Sequence, residues 1–176
     1  MHRLFVAIRP PDPVIDLLID TMEGYSDLRW QSDEQLHLTL RFIGEVERPF
    51  AEDLATALSA LRSERFSLRL AGLGRFDRKR GGTLWAGVEP RACLVALASK
   101  VERICVGVRL PPERRAFHPH ISVARWSGRA PDLSVLLARP AGLHSVYWEV
   151  DRITLYESHL AKSGANYEAI AEIALD

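Results

Sequence analysis

The amino-acid sequence predicts an α+β protein with two similar lobes, each a largely antiparallel sheet flanked by helices, and a cleft between them. Strand-like and helix-like segments alternate along all 176 residues. Two strings of the same pattern, HLTL from His37 and HISV from His120, lie almost half the chain length apart. Such spacing indicates a duplicated unit. No linker or low-complexity segment interrupts the pattern, so residues 1–176 are expected to form one domain whose pseudo-repeats centre on these two histidines.

Strand and helix signals alternate through the first half of the chain. Strand signals lie at residues 3–8, around Trp30, at the His37 string and at 66–73. Pro10, Pro11 and Pro13 supply a turn and a helix start. That first helix is expected to end near Met22 and Gly24. The apolar spacing over residues 49–61 predicts a second helix with one buried face.

The second half repeats this alternation. Gly81 and Gly82 mark a turn into a strand over residues 83–88. A long helix is predicted over 91–106, ending near Gly107. The remaining signals are the His120 strand, a short helix from about 131 to 138, strands over 145–156 and a last strand over 167–173.

Composition is typical of a soluble cytoplasmic enzyme. The 23 basic residues balance 23 acidic ones, so the surface as a whole does not indicate nucleic-acid binding. No apolar run reaches the length of about 18 residues that spans a membrane, and Asp12 and Asp16 stand where a signal peptide would be apolar. Cys93 and Cys105 lack metal-ligand spacing and are expected to be thiols in a reducing compartment. We therefore expect no membrane association. No cofactor is expected either, and no obligate protein partner is evident from the sequence.

The two strings carry the chemistry. On a β-strand, residues i and i+2 point to the same face. His37 and Thr39, and likewise His120 and Ser122, should therefore face a cleft while their apolar neighbours enter a core. An imidazole can be neutral or charged near neutral pH, and a hydroxyl can donate a hydrogen bond to an oxyanion. One such string alone is typical of an ordinary strand edge, but two suggest paired acid and base catalysis.

The segments around the two strings resemble a known protein family. Residues 36–45 (LHLTLRFIGE) and 117–125 (FHPHISVAR) resemble the two signature strands of the RNA 2',3'-cyclic phosphodiesterases, the LigT/ThpR-type 2'-5' RNA ligases of the two-histidine phosphoesterase superfamily. The resemblance covers nearly the whole chain, because three further segments match in order and spacing: residues 3–8, 84–88 and 156–168. Ser122 departs from the usual threonine but keeps the hydroxyl.

The resemblance implies an activity and a substrate. An RNA or oligonucleotide with a 2',3'-cyclic phosphate end would be hydrolysed to a 2'-phosphate without a metal. Reaction with a 5'-hydroxyl end would give a 2'-5' linkage without ATP. One imidazole takes a proton from water and the other protonates the leaving ribose oxygen, from opposite sides of phosphorus. We assign His120 as the base and His37 as the acid. The family also implies that terminal strands can cross between lobes.

Four residues are candidates for phosphate binding. Thr39 and Ser122 are expected to bind the non-bridging oxygens. Arg41 shares its parity with His37 and Thr39, so it either faces the cleft or forms a solvated strand end. Arg125 matches an arginine of the family's second motif, although regular alternation turns it away from the cleft unless the strand bulges first.

Two other functions remain open from sequence. His118 and His120 could form part of a metal site in a metal-dependent phosphohydrolase. The chain could also be a non-catalytic module that binds RNA ends. Phe5 and Trp126 are candidates either for stacking on an RNA base or for core packing.

Overall fold

The computed structural model describes residues 1–138, 143–161 and 164–176, and it confirms the α+β class. Within these residues the antiparallel strands are β1 (His2–Ile8), β2 (Arg29–Trp30), β3 (Leu38–Val46), β4 (Phe66–Arg78), β5 (Gly81–Glu89), β6 (His120–Ser127), β7 (Trp148–Val150), β8 (Arg152–Ala161) and β9 (Gly164–Ala174). The helices are α1 (Asp12–Asp20), α2 (Arg48–Ser59), α3 (Arg91–Gly107) and α4 (Ser134–Leu137), with a 3₁₀ turn at Asp33–Gln35.

The strands form one continuous order rather than two separate sheets. They run β7-β4-β5-β6-β3-β1-β8-β9, with β2 beside β6. The two halves are joined through β3 and β6, which pair at Leu38 and Ile121 alone. Each half contains a histidine-bearing strand with two further strands beside it, β1 and β8 in one half and β5 and β4 in the other. The expected pair of sheets is thus a single sheet that narrows to one residue pair at its middle.

The order strand, helix, histidine strand, helix occurs twice. It runs β1-α1-β3-α2 in the first half and β5-α3-β6-α4 in the second. The last two strands do not stay with the second half, because β8 pairs with β1 and β9 with β8.

The helices bury their apolar faces on the sheet. α1 begins directly after Pro11, with Pro13 in its first turn, where a missing N–H has no helical cost. Side chains buried from the three longer helices include Leu18, Leu54 and Leu97, and they belong to the same core as the inward-facing strand residues. Among the described residues, no helix is long and apolar enough to cross a membrane.

The alternation within both histidine strands is as predicted at the strings themselves. Leu38, Leu40, Ile121 and Val123 are all buried in the core. The four polar residues between them, His37, Thr39, His120 and Ser122, are half-buried on the opposite face.

A β-bulge lies at the last residue of each string. In β3, Thr39 pairs with Ala7 and Arg41 with Val6, which leaves Leu40 as the extra residue. In β6, Ser122 pairs with Trp85 and Ala124 with Leu84, which leaves Val123 extra. An extra residue exchanges the faces of the side chains that follow it, as far as the next bulge. In β3 a second one follows at Ile43.

The prediction that Arg41 shares a face with His37 and Thr39 is wrong, because the bulge at Leu40 lies between them. The Arg41 side chain turns to the helix side of the sheet, where its Nε donates to Glu102 of α3. Its two terminal nitrogens donate to the carbonyl oxygens of Phe42 and Pro111, at 2.7 Å each. With the side chain only 10% exposed, Arg41 ties β3 to α3 and to the loop that follows it, and it does not face the cleft.

We predict that Arg41→Met lowers the free energy of unfolding by about 1–3 kcal/mol, because Glu102 and two carbonyl oxygens lose a shielded donor. Arg48→Met is the matched control. Arg48 also pairs with a glutamate, Glu52, but both side chains are largely exposed, so its loss should cost less than about 0.5 kcal/mol. Urea denaturation of both variants measures the difference. Equal, small effects would show that Arg41 is a solvated strand end.

Candidate active site

The two histidines and the two hydroxyls meet at the residue pair that joins the halves of the sheet. Leu38 lies opposite Ile121 on antiparallel strands. The neighbouring positions therefore place His37 across from Ser122 and Thr39 across from His120. All four side chains are half-buried and lie on the face opposite the core. The structure thus brings together the four residues that the sequence singles out.

Both imidazoles are oriented by the same local hydrogen bond. His37 Nδ1 lies 2.7 Å from the carbonyl oxygen of Gln35, and His120 Nδ1 lies 2.6 Å from that of His118. Because a carbonyl can only accept, Nδ1 carries the proton in both rings. This leaves each Nε2 as the atom available for proton transfer when the ring is neutral.

The electrostatics of the cleft disfavour charge on either ring. Burial is the main cause that lowers the pKa of His37 from 6.5 to about 4, against the hydrogen bond to Gln35; Arg125 and His120 lower it further. The pKa of His120 is also lowered, again chiefly by burial. Both rings are therefore neutral near pH 7 in the free protein.

An aromatic cluster surrounds His37 in the first half of the sheet. The Phe5 ring lies 4.8 Å from the imidazole and the Tyr167 ring approaches it edge-on at 5.1 Å. Phe5 is stacked in turn on Tyr156. Phe5 is only 3% exposed. The structure therefore supports packing of this ring against its neighbours and not stacking on an RNA base. Phe42 lies beside it on the cleft face and is 58% exposed.

A second aromatic cluster surrounds His120. The Phe76 ring stands edge-on to His120 at 5.0 Å, and the Trp85 ring lies 5.1 Å from His118. Gly74 makes room for this indole, because a Cβ there would lie 2.3 Å from a Trp85 ring carbon. Trp126 alternates to the other face and is buried in the core, which supports core packing for this residue.

His118 serves His120 through its backbone. Its carbonyl oxygen orients the His120 ring, whereas its own Nε2 is buried and has no hydrogen-bond partner among the described residues. No group of three or more His, Cys, Asp or Glu side chains converges anywhere in the described part of the chain. The donor set that a His118 and His120 metal site would need is therefore incomplete within that part.

Arg125 faces the cleft because β6 bulges at Val123. It pairs with Thr83, which pairs with Phe76, and paired residues point to the same face. The positive charge of Arg125 lowers the pKa of both His37 and His120, as expected for a guanidinium near both rings. Among the residues that the structure describes, no hydrogen bond or ion pair joins its guanidinium group to another side chain or to a backbone oxygen.

Sequence reasoning missed the aromatic residues around the two histidines. Phe76 reaches the site only through strand pairing between distant segments. The other residues lie in segments that resemble the family, but that resemblance gave them no role: Phe42, Trp85, Tyr156 and Tyr167.

Comparisons with known proteins agree with this geometry. Residues 10–162 match the family model of the 2'-5' RNA ligase superfamily. An RNA 2',3'-cyclic phosphodiesterase of Aeropyrum pernix is 39% identical over 145 residues, which span 80% of this chain and 82% of that protein. A protein of the same name from Escherichia coli is 30% identical over 178 residues, covering 99% and 97% of the two chains.

Solved structures show the same likeness across the whole fold. The crystal structure of Escherichia coli LigT complexed with 3'-AMP matches with a TM-score of 0.83 and 27% identity, covering 99% of this chain and 98% of that one. LigT complexed with phosphate matches with a TM-score of 0.79 and 26% identity, covering 99% and 97%. The resemblance carried by the two histidine strings is confirmed, and the chain belongs to the 2'-5' RNA ligase superfamily.

Proposed function

We propose that this protein is an RNA 2',3'-cyclic phosphodiesterase that opens terminal 2',3'-cyclic phosphates to 2'-phosphates. One observation carries the proposal: two imidazoles whose Nε2 atoms are free lie across from two hydroxyls at a single strand pair. The relatives named RNA 2',3'-cyclic phosphodiesterase support the reaction. The LigT complexes with 3'-AMP and with phosphate support a nucleotide-sized anion as the occupant of this fold.

Three side chains bind the phosphate in this proposal. Thr39 and Ser122 donate hydrogen bonds to its two non-bridging oxygens. Arg125 adds a fixed positive charge to the negative charge that develops there. Arg41 takes no part, because its donors are already engaged by Glu102 and two carbonyl oxygens.

The two histidines move the protons. The base accepts a proton from water as its oxygen bonds to phosphorus, and the acid donates a proton to the ribose 3'-oxygen as its bond to phosphorus breaks. Since both rings are neutral in the free protein, the acid gains its proton with the substrate, whose negative charge raises the pKa of the ring that it contacts. In this proposal His120 is the base that accepts the proton of water, and His37 is the acid that protonates the leaving oxygen.

The same geometry accepts a second nucleophile. A 5'-hydroxyl in the place of water would give a 2'-5' linkage, and the strained cyclic ester would replace ATP as the source of energy. We further propose a cytoplasmic location, which the two unpaired cysteines, Cys93 and Cys105, support. No protein partner is needed for the proposed chemistry.

The proposal is tested with a short oligonucleotide that ends in a 2',3'-cyclic phosphate, in the presence of excess EDTA. We expect turnover to persist and the product to carry a 2'-phosphate, identified by ³¹P NMR. Loss of turnover in EDTA that Zn²⁺ or Mn²⁺ restores would favour a metal-dependent phosphohydrolase. Tight binding without any turnover would favour a module that only binds RNA ends.

Alanine variants of the two histidines extend this test. His37→Ala and His120→Ala should each lose most of kcat, and the double variant should lose little more, because the two rings act on one phosphorus atom. Losses that multiply in the double variant would show that the rings do not share a reaction.

A substitution series at Ser122 separates its hydroxyl from its shape. Ser122→Thr should stay active because the donor is kept, whereas Ser122→Ala should lower kcat on the order of 10²-fold, as removal of an oxyanion donor does. Ser122→Val approximates threonine in volume but has no hydroxyl, so it should resemble the alanine variant. Equal activity of the folded valine and threonine variants would remove Ser122 from the phosphate site.

A further inference from the structure

Three arginine side chains converge at one end of the cleft on the second lobe. Arg29 of β2 lies directly opposite Arg125 of β6 in the strand pairing, so the two side chains share a face. Arg78 follows Phe76 by two residues on β4, and Phe76 belongs to the same cross-strand row as Arg125. Alternation therefore puts Arg78 on that face as well. We call Arg29, Arg78 and Arg125 the arginine triad.

The triad has no carboxylate to neutralise it. No ion pair or hydrogen bond joins any of the three guanidinium groups to another residue in the described ranges. The acidic residue nearest in sequence, Asp77, alternates to the other face, where it pairs with Arg75 at 3.0 Å. Arg9, by contrast, also lies near the site but is paired with Asp33. In a chain with as many acidic as basic residues, three like charges without a counter-charge indicate an anion site.

Repulsion within the triad supports its closeness. Arg78 and Arg29 both lower the pKa of Arg125, in addition to the larger effect of burial. The charge of Arg78 also lowers the pKa of His120. The positive charge of the triad thus acts on the reaction centre. Arg29 and Arg78 themselves are exposed to solvent.

The position of the triad suggests which anion it holds. Along β6 the order is His120, Ser122 and Arg125, so the positive charge leads outward from the phosphate site. An RNA chain that ends in a cyclic phosphate carries its next negative charge on the 5' side of the terminal nucleotide. Arginine suits this group because its planar fork can bind phosphate through two hydrogen bonds.

Resting on the proposed function, we infer that Arg29 and Arg78 bind the phosphodiester on the 5' side of the terminal nucleotide. The site would then prefer an RNA strand over a mononucleoside 2',3'-cyclic phosphate. Arg125 would lie between the two phosphates and interact with both. Arg29 and Arg78 are specificity residues in this account, since they touch the strand and not the reacting atoms.

Three substrates test this inference. The first is adenosine 2',3'-cyclic phosphate, and the second is the 3'-5' linked dinucleotide ApA that ends in the same cyclic phosphate. The third is this dinucleotide with a neutral methylphosphonate in place of the phosphodiester linkage. Wild-type kcat/KM should be at least tenfold higher for the phosphodiester dinucleotide than for the other two. In Arg29→Ala/Arg78→Ala this preference should largely disappear. The salt dependence of kcat/KM for the charged dinucleotide should also become less steep, by a slope of about 0.7 for one lost phosphate contact.

Two control variants sharpen the result. Arg103→Ala removes an exposed arginine of α3 on the helix side, and the wild-type preference should be kept. Arg29→Lys/Arg78→Lys keeps the charges without the planar forks and should retain part of the preference.

The inference is overturned if the wild-type enzyme treats the charged and neutral linkages alike, or if the double alanine variant loses as much activity on the mononucleoside as on the dinucleotide. Failure of the proposed function would look different, because the wild-type protein would then hydrolyse none of the three substrates.

Discussion

The site depends on one antiparallel contact between two buried aliphatic side chains. Leu38 and Ile121 form the single residue pair between β3 and β6, and both are essentially inaccessible to solvent. Burial of this pair fixes the register, because a slip of one residue would turn the histidines into the core and the aliphatic residues into the cleft. The hydrophobic effect at the centre of the sheet thus places four polar groups on neighbouring positions of two strands.

Equivalent bulges in the two related strands bring different residues to the cleft. Each histidine strand gains one residue at the last position of its string, and the fifth residue beyond the histidine then faces the cleft. In β3 this residue is Phe42, an exposed aromatic, and in β6 it is Arg125. The duplicated framework therefore presents an aromatic surface on one side of the cleft and positive charge on the other. Such asymmetry suits a substrate that has a base and a phosphate at its end.

Local patterns in the sequence were sufficient to predict which side chains share a face within the two strings, and they were insufficient beyond the strings. Alternation over two residues correctly paired His37 with Thr39 and His120 with Ser122. It failed at Arg41 because a bulge is a property of two paired strands and leaves no clear trace in one of them. Two contacts join segments that are distant in the sequence, and no local pattern encodes them. One is the pair of Leu38 and Ile121 that joins the halves of the sheet, and the other is the pair of Arg29 and Arg125. We propose that residues 1–176 act as one two-lobed domain, since β8 and β9 complete the first lobe.

The central claim is that both histidines contact one anion, and a histidine NMR titration tests it most directly. In the free protein we predict that His37 titrates at a pKa of about 4 and His120 below 6.5. Saturation with a nucleoside 2'-monophosphate should raise both pKa values together, because a shared anion stabilises the charged form of each ring. Spectra of the His37→Ala and His120→Ala variants assign the signals. A response confined to one ring would contradict a shared site, whereas ordinary pKa values near 6.5 in the free protein would contradict only the burial of the two rings.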